Sequence, residues 1–345
     1  MTHIPTDRDS QRESASISDL TSDRISDRNS DRDADTDAPE DASAATGRDH
    51  WLQIMGEIGD EAGHFTALGA RHWAMFSQEG GNLLVTFDTL AAARARKGQM
   101  PHLYDFASNM GWSYLCLIAD GETWFRDPAI TAFFDKMVYS SFFDGFDRVQ
   151  FYGAGMAGYA ACAYSVTAPG ATVVAVAPRA TMAPARVPFE TRDRAARRLD
   201  FTTRYGFAPD MLRAAREAWI LRDPLHSADA AQSALFQGNH VTHLNLRLMG
   251  DRAEHALQEL DILPKLLSAA MKGEMSEVLF ANLWRARRKF GGYLKQLLLR
   301  TDTAGRETLS YAICANVARR TRAPKFRRRL EEMDAARAAK TAEPV

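Results

Sequence analysis

One nine-residue stretch, FYGAGMAGY at residues 151–159, constrains the fold of this chain more than any other. An apolar segment enters a cluster of three glycines, Gly153, Gly155 and Gly158, and a helix-forming segment follows. A strand, a tight glycine turn and a helix in that order are typical of an open α/β sheet. Two kinds of site use the pattern: a turn that binds the phosphates of a dinucleotide, and a turn that carries a catalytic nucleophile.

The segments around this stretch predict the rest of the sheet. Short apolar runs bounded by turn residues read as strands at 71–76, 82–87, 113–119, 148–152, 172–177, 218–222 and 243–248. Helical periodicity separates many of them, at 51–58, 103–110, 128–143 and 225–236. It dominates after residue 251, where it predicts helices at 253–272, 276–290, 291–300 and 306–321. We therefore predict an α/β fold whose mostly parallel sheet has helices on both faces, with a helical C-terminal extension.

Composition divides the chain into four parts. Residues 1–48 form a leader rich in Ser, Asp and Arg with few large apolar side chains, so we expect it to be disordered. Residues 49–272 hold the predicted sheet, with 178–212 as an insertion or cap. Residues 273–330 are expected to be basic helices, and residues 331–345 a flexible tail.

The charge of the chain is unevenly distributed. Residues 1–50 carry 13 acidic and 6 basic side chains, whereas residues 284–330 carry 14 basic and 2 acidic ones. The basic segment could bind an anionic partner, either nucleic acid or lipid, by neutralising phosphates. The alternatives are a solvated helix face and a face that meets the acidic leader. The sequence contains no nucleic-acid-binding motif.

The cysteine positions and the apolar runs of the sequence argue against several classes of protein. Cys116, Cys162 and Cys314 are far apart and form no pattern of metal ligands, so we expect no metal site and no cofactor. The first residues contain no apolar signal-peptide core, and no apolar run approaches about 18 residues. These features predict a cytoplasmic protein without a membrane span.

The glycine spacing fits a dinucleotide-binding turn, but its surroundings do not. That fold places the turn after its first strand and an acidic residue at the end of the next strand, where it holds a ribose. Here two or three predicted strands precede the turn, and the next strand ends at Pro178 and Arg179. The context therefore favours the nucleophile turn.

A nucleophile turn needs small residues on both sides of the reactive one, because its backbone is sharply bent. Gly153 and Ala157 or Gly158 supply them, and the reactive position falls on Gly155. Glycine has no hydroxyl, thiol or carboxylate, so no covalent acyl intermediate forms there. Met156, the next residue, is expected to fill pocket space.

This region resembles the α/β-hydrolase superfamily over roughly residues 80–265, best at VQFYGAGMAGYAACAYSVTAPGATVVAVAP. The resemblance puts the nucleophile position at Gly155, the acid at Asp223 and the histidine at His255, with His243 as the alternative. Asp223 could instead cap the helix that follows it, and His255 could be an ordinary surface histidine.

Two further aspartates follow predicted strands on the side where open α/β sheets bind ligands. Asp88 comes after strand 82–87, where the resemblance places the oxyanion-hole loop. Asp120 comes after strand 113–119 and could equally belong to a simple turn. We take both as candidate binding residues, together with Gly153, Gly155, Met156 and Gly158 at the turn.

The chain is also similar to a bacterial family commonly labelled phosphoadenosine phosphosulfate reductase. The similar stretches are IADGETWFRD, FYGAG, RYGFAPDML and APKFRRRL. The label implies sulfonucleotide reduction, but such a reductase has an SGGKDS-like phosphate loop and a reactive cysteine motif, and this sequence has neither. Cys314 lies on an apolar helical face and is expected to be buried.

These observations predict a degenerate α/β-hydrolase-like protein, a pseudoenzyme that binds a small molecule or a protein partner in its former active-site cleft. One alternative is an active enzyme that uses a nucleophile from elsewhere or works as a nucleotide-dependent oxidoreductase or sulfonucleotide reductase. Another is an adaptor that binds anionic surfaces through its basic end.

Overall fold

A computed structural model of the chain describes residues 41–342. The expected disordered leader lies outside the described residues as far as residue 40, as do residues 343–345 of the expected tail. Residues 41–47, which we also assigned to the leader, pack on the domain: Ala42 is fully buried and its N–H donates to the carbonyl of Gly98 at 2.9 Å. Ordered structure therefore begins before Trp51.

Eight strands form one sheet: β1 (Gly63–Ala67), β2 (His72–Ser77), β3 (Asn82–Thr89), β4 (Ser113–Ala119), β5 (Arg148–Ala154), β6 (Thr172–Val176), β7 (Glu217–Arg222) and β8 (Val241–Asn245). Their order across the sheet is β1-β2-β4-β3-β5-β6-β7-β8. β2 runs antiparallel to both its neighbours, and all pairs from β4 to β8 are parallel. The predicted fold class, α/β-hydrolase-like with a mostly parallel sheet, is confirmed.

The two edges of the sheet differ most from the sequence prediction. β1 had not been predicted, because it is short and four of its five residues are at least partly exposed. β8 covers Val241–Asn245 instead of 243–248, since its only neighbour, β7, ends at Arg222 opposite Asn245. Edge strands lack the continuous apolar pattern that marks central strands such as β4, which is buried along its whole length.

The helices are α1 (Arg48–Ala62), α2 (Leu90–Ala95), α3 (Tyr104–Asn109), α4 (Pro128–Tyr139), α5 (Met156–Tyr164), α6 (Ala208–Met211), α7 (Ser227–Ser233), α8 (Ala253–Glu259), α9 (Leu263–Lys272), α10 (Glu277–Trp284), α11 (Gly291–Thr303), α12 (Glu307–Arg320) and α13 (Pro324–Ala342). One apolar core contains α1, α8 and α9, and a second contains α4 and α5. Helices therefore cover both faces of the sheet. None of the helices within residues 41–342 has the length and apolarity that crossing a bilayer requires.

The segment predicted as one helix over residues 253–272 is two helices, α8 and α9. Asp261, between them, has a left-handed backbone with φ 51°, and Pro264 lies in the first turn of α9. Proline removes a helical donor and is tolerated only in the first turn, so the helix restarts there.

The insertion over residues 178–212 is held to α7 by ion pairs with buried carboxylates. Arg192 donates to Glu190 and to Asp229, at 2.7 Å each, and Arg179 also lies within 3.3 Å of Asp229. Burial acts to raise the pKa of Glu190, but the hydrogen bonds from Arg192 prevail and lower it to about 2. The carboxylate therefore stays charged, and the segment has a fixed attachment to α7 through Asp229.

The C-terminal helices α11, α12 and α13 have a small core of their own, made by Leu294, Leu298, Cys314, Val317, Phe326 and Met333. Cys314 is fully buried, as expected from its apolar helical face. α13 is helical through residue 342, so most of the segment that we expected to be a flexible tail lies within a helix.

Candidate functional site

The glycine turn joins β5 to α5 at the carboxyl edge of the sheet. Gly155 has φ 57° and ψ −115° and is the residue that precedes α5. Its N–H donates to the carbonyl of Val176 on the neighbouring strand at 2.9 Å, and its own carbonyl accepts from Tyr159 at 3.0 Å. This strained strand-to-helix turn has the backbone form of a nucleophile elbow.

Packing restricts both of the flanking glycines. A Cβ at Gly153 would lie 2.2 Å from the carbonyl oxygen of Ala157, inside any allowed contact. A Cβ at Gly158 would lie 3.1 Å from the carbonyl oxygen of Gly153 and 3.2 Å from the Cα of Pro178. The turn therefore excludes a side chain at Gly153, and at Gly158 a side chain would require its neighbours to shift by a few tenths of an ångström.

Gly155 itself differs from both. A Cβ built on Gly155 meets no other atom within 4 Å, so the space where a side chain would stand is open. Packing does not demand glycine there; only the positive φ favours it. The position is thus a fully formed elbow with an open side-chain slot.

A cavity of about 270 Å³ lies beside the turn, between the ends of β3 and β5 and the first turn of α5. Its apolar lining includes Phe87, Ala92, Met156 and Ala157. Its charged or ionisable lining is Asp88, Arg96, His102, Glu122 and Glu254. Five ionisable groups around one small cavity are more than core packing needs, which is a common feature of functional sites.

Asp88 organises the loop that follows β3. One oxygen of its carboxylate accepts from Arg96 (2.5 Å) and from the backbone N–H of His102 (2.9 Å), and the other accepts from the backbone N–H of Thr89 (2.8 Å). Three partners from three points of the loop fix its path. The predicted binding residue therefore lines the cavity and also holds the loop in place.

His102 and Glu254 line the same cavity and form a hydrogen-bonded chain with the buried Tyr152 behind them. His102 Nε2 lies 3.1 Å from Glu254 Oε1, and the hydroxyl of Tyr152 donates to the same oxygen at 2.7 Å. Burial acts to raise the pKa of Glu254, but the contacts with His102 and Tyr152 outweigh it and lower that pKa. The pKa of Tyr152 is raised well above its usual value by burial and by the adjacent carboxylate.

The sequence analysis did not identify His102 or Glu254. His102 follows a proline in a loop without a recognisable motif. Glu254 directly precedes His255, and the resemblance to α/β-hydrolases had indicated His255. The one available signal was that both follow strands at the carboxyl edge, where ligands bind.

The two residues predicted as a vestigial acid–histidine pair occupy different surroundings. Asp223, 3% exposed, accepts from the backbone N–H groups of Leu225 and Gly250 at 2.9 Å each. His255 is two-thirds exposed and lies 3.7 Å from Glu259 on its own helix. Within residues 41–342 no hydrogen bond or ion pair joins Asp223 to His255.

Asp223 borders a second cavity of about 460 Å³, formed with residues 248–252 and with α11. It lies outside the lining of the cavity beside Gly155. His243, the alternative histidine, is on β8 and its Nε2 contacts the carbonyl of Phe236 at 2.9 Å. Burial lowers the pKa of His243, so the neutral form is favoured.

The remaining predicted residues are near the turn or anchor loops. The sulfur of Met156 lies 3.3 Å from the N–H of Trp124, and the side chain lines the cavity. Asp120 follows β4; its carboxylate pairs with Arg48 at 3.0 Å and its carbonyl accepts from Arg71. Asp120 therefore ties the end of its strand to two other segments.

One group of possible metal ligands occurs in the described part of the chain. His226, Asp229 and Asp251 bring one ligand atom each within 4.8 Å of one another. Asp229 already pairs with the guanidinium groups of Arg192 and Arg179, which offset its charge. A cation there would compete with two arginines, so this set is a poor metal site.

No protein-family model matches the chain, and no curated protein matches it. Solved structures do. Est1E from Butyrivibrio proteoclasticus aligns at 12% identity over 61% of this chain and 98% of its own, with a TM-score of 0.43. An S-formylglutathione hydrolase from Agrobacterium tumefaciens aligns at 15% identity over 59% of this chain and 91% of its own, with a TM-score of 0.38.

A capsule O-acetyltransferase of Neisseria meningitidis serogroup A is also similar, at 10% identity over 58% of this chain and 94% of its own, with a TM-score of 0.38. The strand order of the sheet and the bent turn at Gly155 are the observations on which the fold class rests.

Proposed function

We propose that this chain is an α/β-hydrolase-type scaffold that lacks a covalent nucleophile and binds a small molecule in the cavity beside Gly155. The observation that carries the proposal is the intact elbow backbone with an open slot: φ is 57°, no atom lies within 4 Å of the place a Cβ would take, and a cavity of about 270 Å³ adjoins it. A strained turn persists only when its surroundings hold it in place.

Other nucleophiles near the turn are poor candidates. Thr89 lines the cavity, but its hydroxyl accepts from the N–H of Ala92 and caps α2. Cys116 is fully buried, and burial raises its pKa to about 12, so its thiolate is scarce at neutral pH. Neither residue offers the activated atom that covalent catalysis requires.

The lining of the cavity suggests the class of ligand. The first N–H groups of α5, at Met156 and Ala157, have no partner within the helix, and the residue before them has no side chain to cap them. They favour an acceptor oxygen such as a carbonyl. Phe87, Ala92 and Met156 favour a small apolar group beside it.

Binding of small aromatic esters and amides tests this proposal, with methyl benzoate and benzamide as probes in ligand-observed NMR. Ala92 lines the cavity, whereas Ala91, its neighbour on α2, is exposed. We expect Ala92→Leu to abolish binding and Ala91→Leu to leave it unchanged. Equal binding by both variants, or no binding by the unmodified chain, would contradict the proposal.

A second candidate function, binding of an anionic partner through residues 284–330, has its own observation. The exposed side chains of Arg285, Arg288, Lys289, Arg319, Arg322, Lys325 and Arg327 pair with no carboxylate among the described residues. An uncompensated basic surface attracts phosphates with a strong dependence on salt.

A further inference from the structure

We propose that His102 is a general base in this cavity, oriented by Glu254, and that it activates water to hydrolyse a small carboxylic ester bound at the Gly155 turn. This inference rests on the proposed function, since it requires the ligand to occupy the cavity beside Gly155. It adds a reaction and a substrate class, and it assigns the chemistry to residues other than the predicted acid and histidine.

The strand order brings the parts of this site together. β3 lies next to β5, with Thr86 opposite Tyr152, so the loop after β3 runs beside the turn after β5. His102 belongs to that loop. Glu254 is in the first turn of α8, which follows the last strand of the sheet. A loop and a helix that are distant in sequence thus line one cavity beside the elbow.

The backbone of His102 is held on both sides of its side chain. Its N–H donates to Asp88 at 2.9 Å, and its carbonyl accepts from the hydroxyl of Tyr114 at 2.7 Å. Arg96 in turn holds Asp88. The imidazole therefore starts from a fixed point and needs little reorganisation when a substrate arrives.

The contact with Glu254 sets the tautomer of the imidazole. An ionised carboxylate only accepts hydrogen bonds, and Glu254 already accepts one from Tyr152. His102 Nε2, 3.1 Å from the same carboxylate oxygen, therefore carries a proton and donates it. The amide of Gln258 is a longer neighbour of Nε2, at 3.4 Å.

The other ring nitrogen is then the basic one. Within the described residues Nδ1 of His102 makes no hydrogen bond, and the residue lines the cavity. A general base must present a lone pair within hydrogen-bond reach of the proton that it removes. Nδ1 is such a lone pair, and no group among residues 41–342 competes for it.

The reaction balances with water as the only co-reactant. Nδ1 takes a proton from water while the water oxygen forms a bond to the carbonyl carbon, and the carbonyl electrons move to the carbonyl oxygen. The N–H of Met156 stabilises that oxyanion. The oxyanion then reforms the carbonyl, the carbon–oxygen bond to the alcohol breaks, and the imidazolium returns its proton to the departing alkoxide.

The open slot at Gly155 suits this route. A serine there would place its hydroxyl in the space that has no atom within 4 Å of a Cβ, and it would form an acyl intermediate. With glycine the same space can hold the attacking water, and the products are a free carboxylic acid and an alcohol. No covalent intermediate is formed.

The charge environment determines the expected pH dependence. Four titratable groups contact His102 through its side chain or backbone, namely Glu254, Tyr152, Asp88 and Tyr114, and the cavity adds Arg96 and Glu122. Glu254 stays ionised because the hydrogen bonds from His102 and Tyr152 lower its pKa. Because a general base acts only in its unprotonated form, the rate is expected to rise with pH and then to reach a plateau.

Hydrolysis of p-nitrophenyl acetate by the full chain tests the proposal. We expect p-nitrophenol release without a pre-steady-state burst, no acetylated protein by mass spectrometry, and kcat/KM about 100-fold lower in His102→Gln. Glu254→Gln should also lose about 100-fold, because an amide can donate to Nε2 and move the ring proton to Nδ1. Glu259→Gln, on the same helix beside an exposed histidine, should have no effect.

The pH profile separates catalysis from a structural effect. The low-pH limb of the profile should disappear in His102→Gln, while near-ultraviolet circular dichroism stays unchanged because both anchors of His102 are to its backbone. Hydrolysis that is absent in the unmodified chain, equal in His102→Gln, or lost only in His255→Gln would overturn the proposal. A burst with an acetylated intermediate would also overturn it.

Failure of this inference can be distinguished from failure of the proposed function. If methyl benzoate binds and Ala92→Leu abolishes that binding, the function stands whatever the hydrolysis results show. If neither probe binds, both proposals fall.

Discussion

His102 Nε2 and Glu254 Oε1 lie 3.1 Å apart and join the loop after β3 to the helix after β8. The contact crosses the carboxyl edge of the sheet above the Gly155 turn, and both residues line the cavity there. A histidine paired with a carboxylate thus occurs at the elbow, although the elbow has no nucleophile.

Removal of one hydroxyl tests how the position of His102 depends on its anchor. Tyr114→Phe removes the hydrogen bond to the carbonyl of His102 and should lower the free energy of unfolding by about 1 kcal/mol. It should also lower ester hydrolysis, since the imidazole loses its fixed starting point. Tyr104→Phe is the control, because its ring packs edge-on against Tyr114 but is not hydrogen-bonded to His102. Urea unfolding and p-nitrophenyl acetate kinetics measure both effects.

The three glycine positions should differ sharply in their tolerance of serine. Gly153→Ser should lower the free energy of unfolding by about 3 kcal/mol, because its Cβ meets the backbone of Ala157. Gly155→Ser should cost only the backbone strain of about 1 kcal/mol, since its slot is open. Gly111→Ser, at an open position with φ 63°, measures the cost of a positive φ away from the site. Gly155 also has ψ −115°, so only a loss there of more than about 3 kcal/mol, beyond the cost of backbone strain, would mean that the slot is not open.

The buried charges of the insertion predict an acid-dependent stability. Because Arg192 lowers the pKa of Glu190 from its usual 4.5 to about 2, the ion pair stabilises the fold above pH 4.5. That contribution is lost as the pH falls towards 2. Glu190→Gln should therefore cost about 3 kcal/mol at pH 7 and progressively less below pH 4.5.

Urea unfolding at pH 7 and at pH 3.5 checks this expectation. Asp210→Asn, which removes the exposed pair with Arg213, is the control and should change stability by less than about 1 kcal/mol at either pH. A Glu190→Gln cost that does not depend on pH would show that packing, and not charge, holds the insertion.

The basic C-terminal surface predicts salt-dependent association with polyanions. The charge reversals Arg285→Glu and Lys289→Glu together should reduce the retention of the protein on duplex DNA or on phosphatidylserine vesicles. They should also flatten its dependence on salt. Arg213→Glu, at an exposed position near α6, is the matched control. Retention that the double variant does not change would remove the anionic-partner function.

Thiol reactivity tests the reductase alternative. All three cysteines are buried, and burial raises the pKa values of Cys116 and Cys162. We expect all three to react with Ellman's reagent very slowly in the native protein and at once in about 6 M guanidinium chloride. A thiol that reacts rapidly in the native state would support reductase chemistry.

The central part of the fold was predictable because its signals are local. Buried parallel strands such as β4 and β5 are continuous apolar runs, and their periodicity is visible without knowledge of their neighbours. β1 was missed because an edge strand is partly exposed and has no such run. The break between α8 and α9 was missed because the apolar pattern continues through Asp261, where only the backbone changes.

The candidate site was predictable in one part and not in the other. Three glycines at the spacing of residues 153, 155 and 158 point to a bent turn, because only small residues fit there. The pairing of His102 with Glu254 corresponds to no recognisable spacing in the sequence, because the two residues are distant along the chain. The sequence alone ranked His255 above its neighbour Glu254, yet Glu254 is the one of the two that lines the cavity.

The sequence by itself therefore determined the α/β class and the absence of a nucleophile at Gly155. The periodicity of apolar residues and the small residues that a bent turn requires are both visible within a few consecutive residues. Tertiary structure alone decided which ionisable groups face that turn. His102 and Glu254 become neighbours only when β3 lies beside β5 and α8 folds back over the sheet edge, and that order is set by the packing of the whole domain.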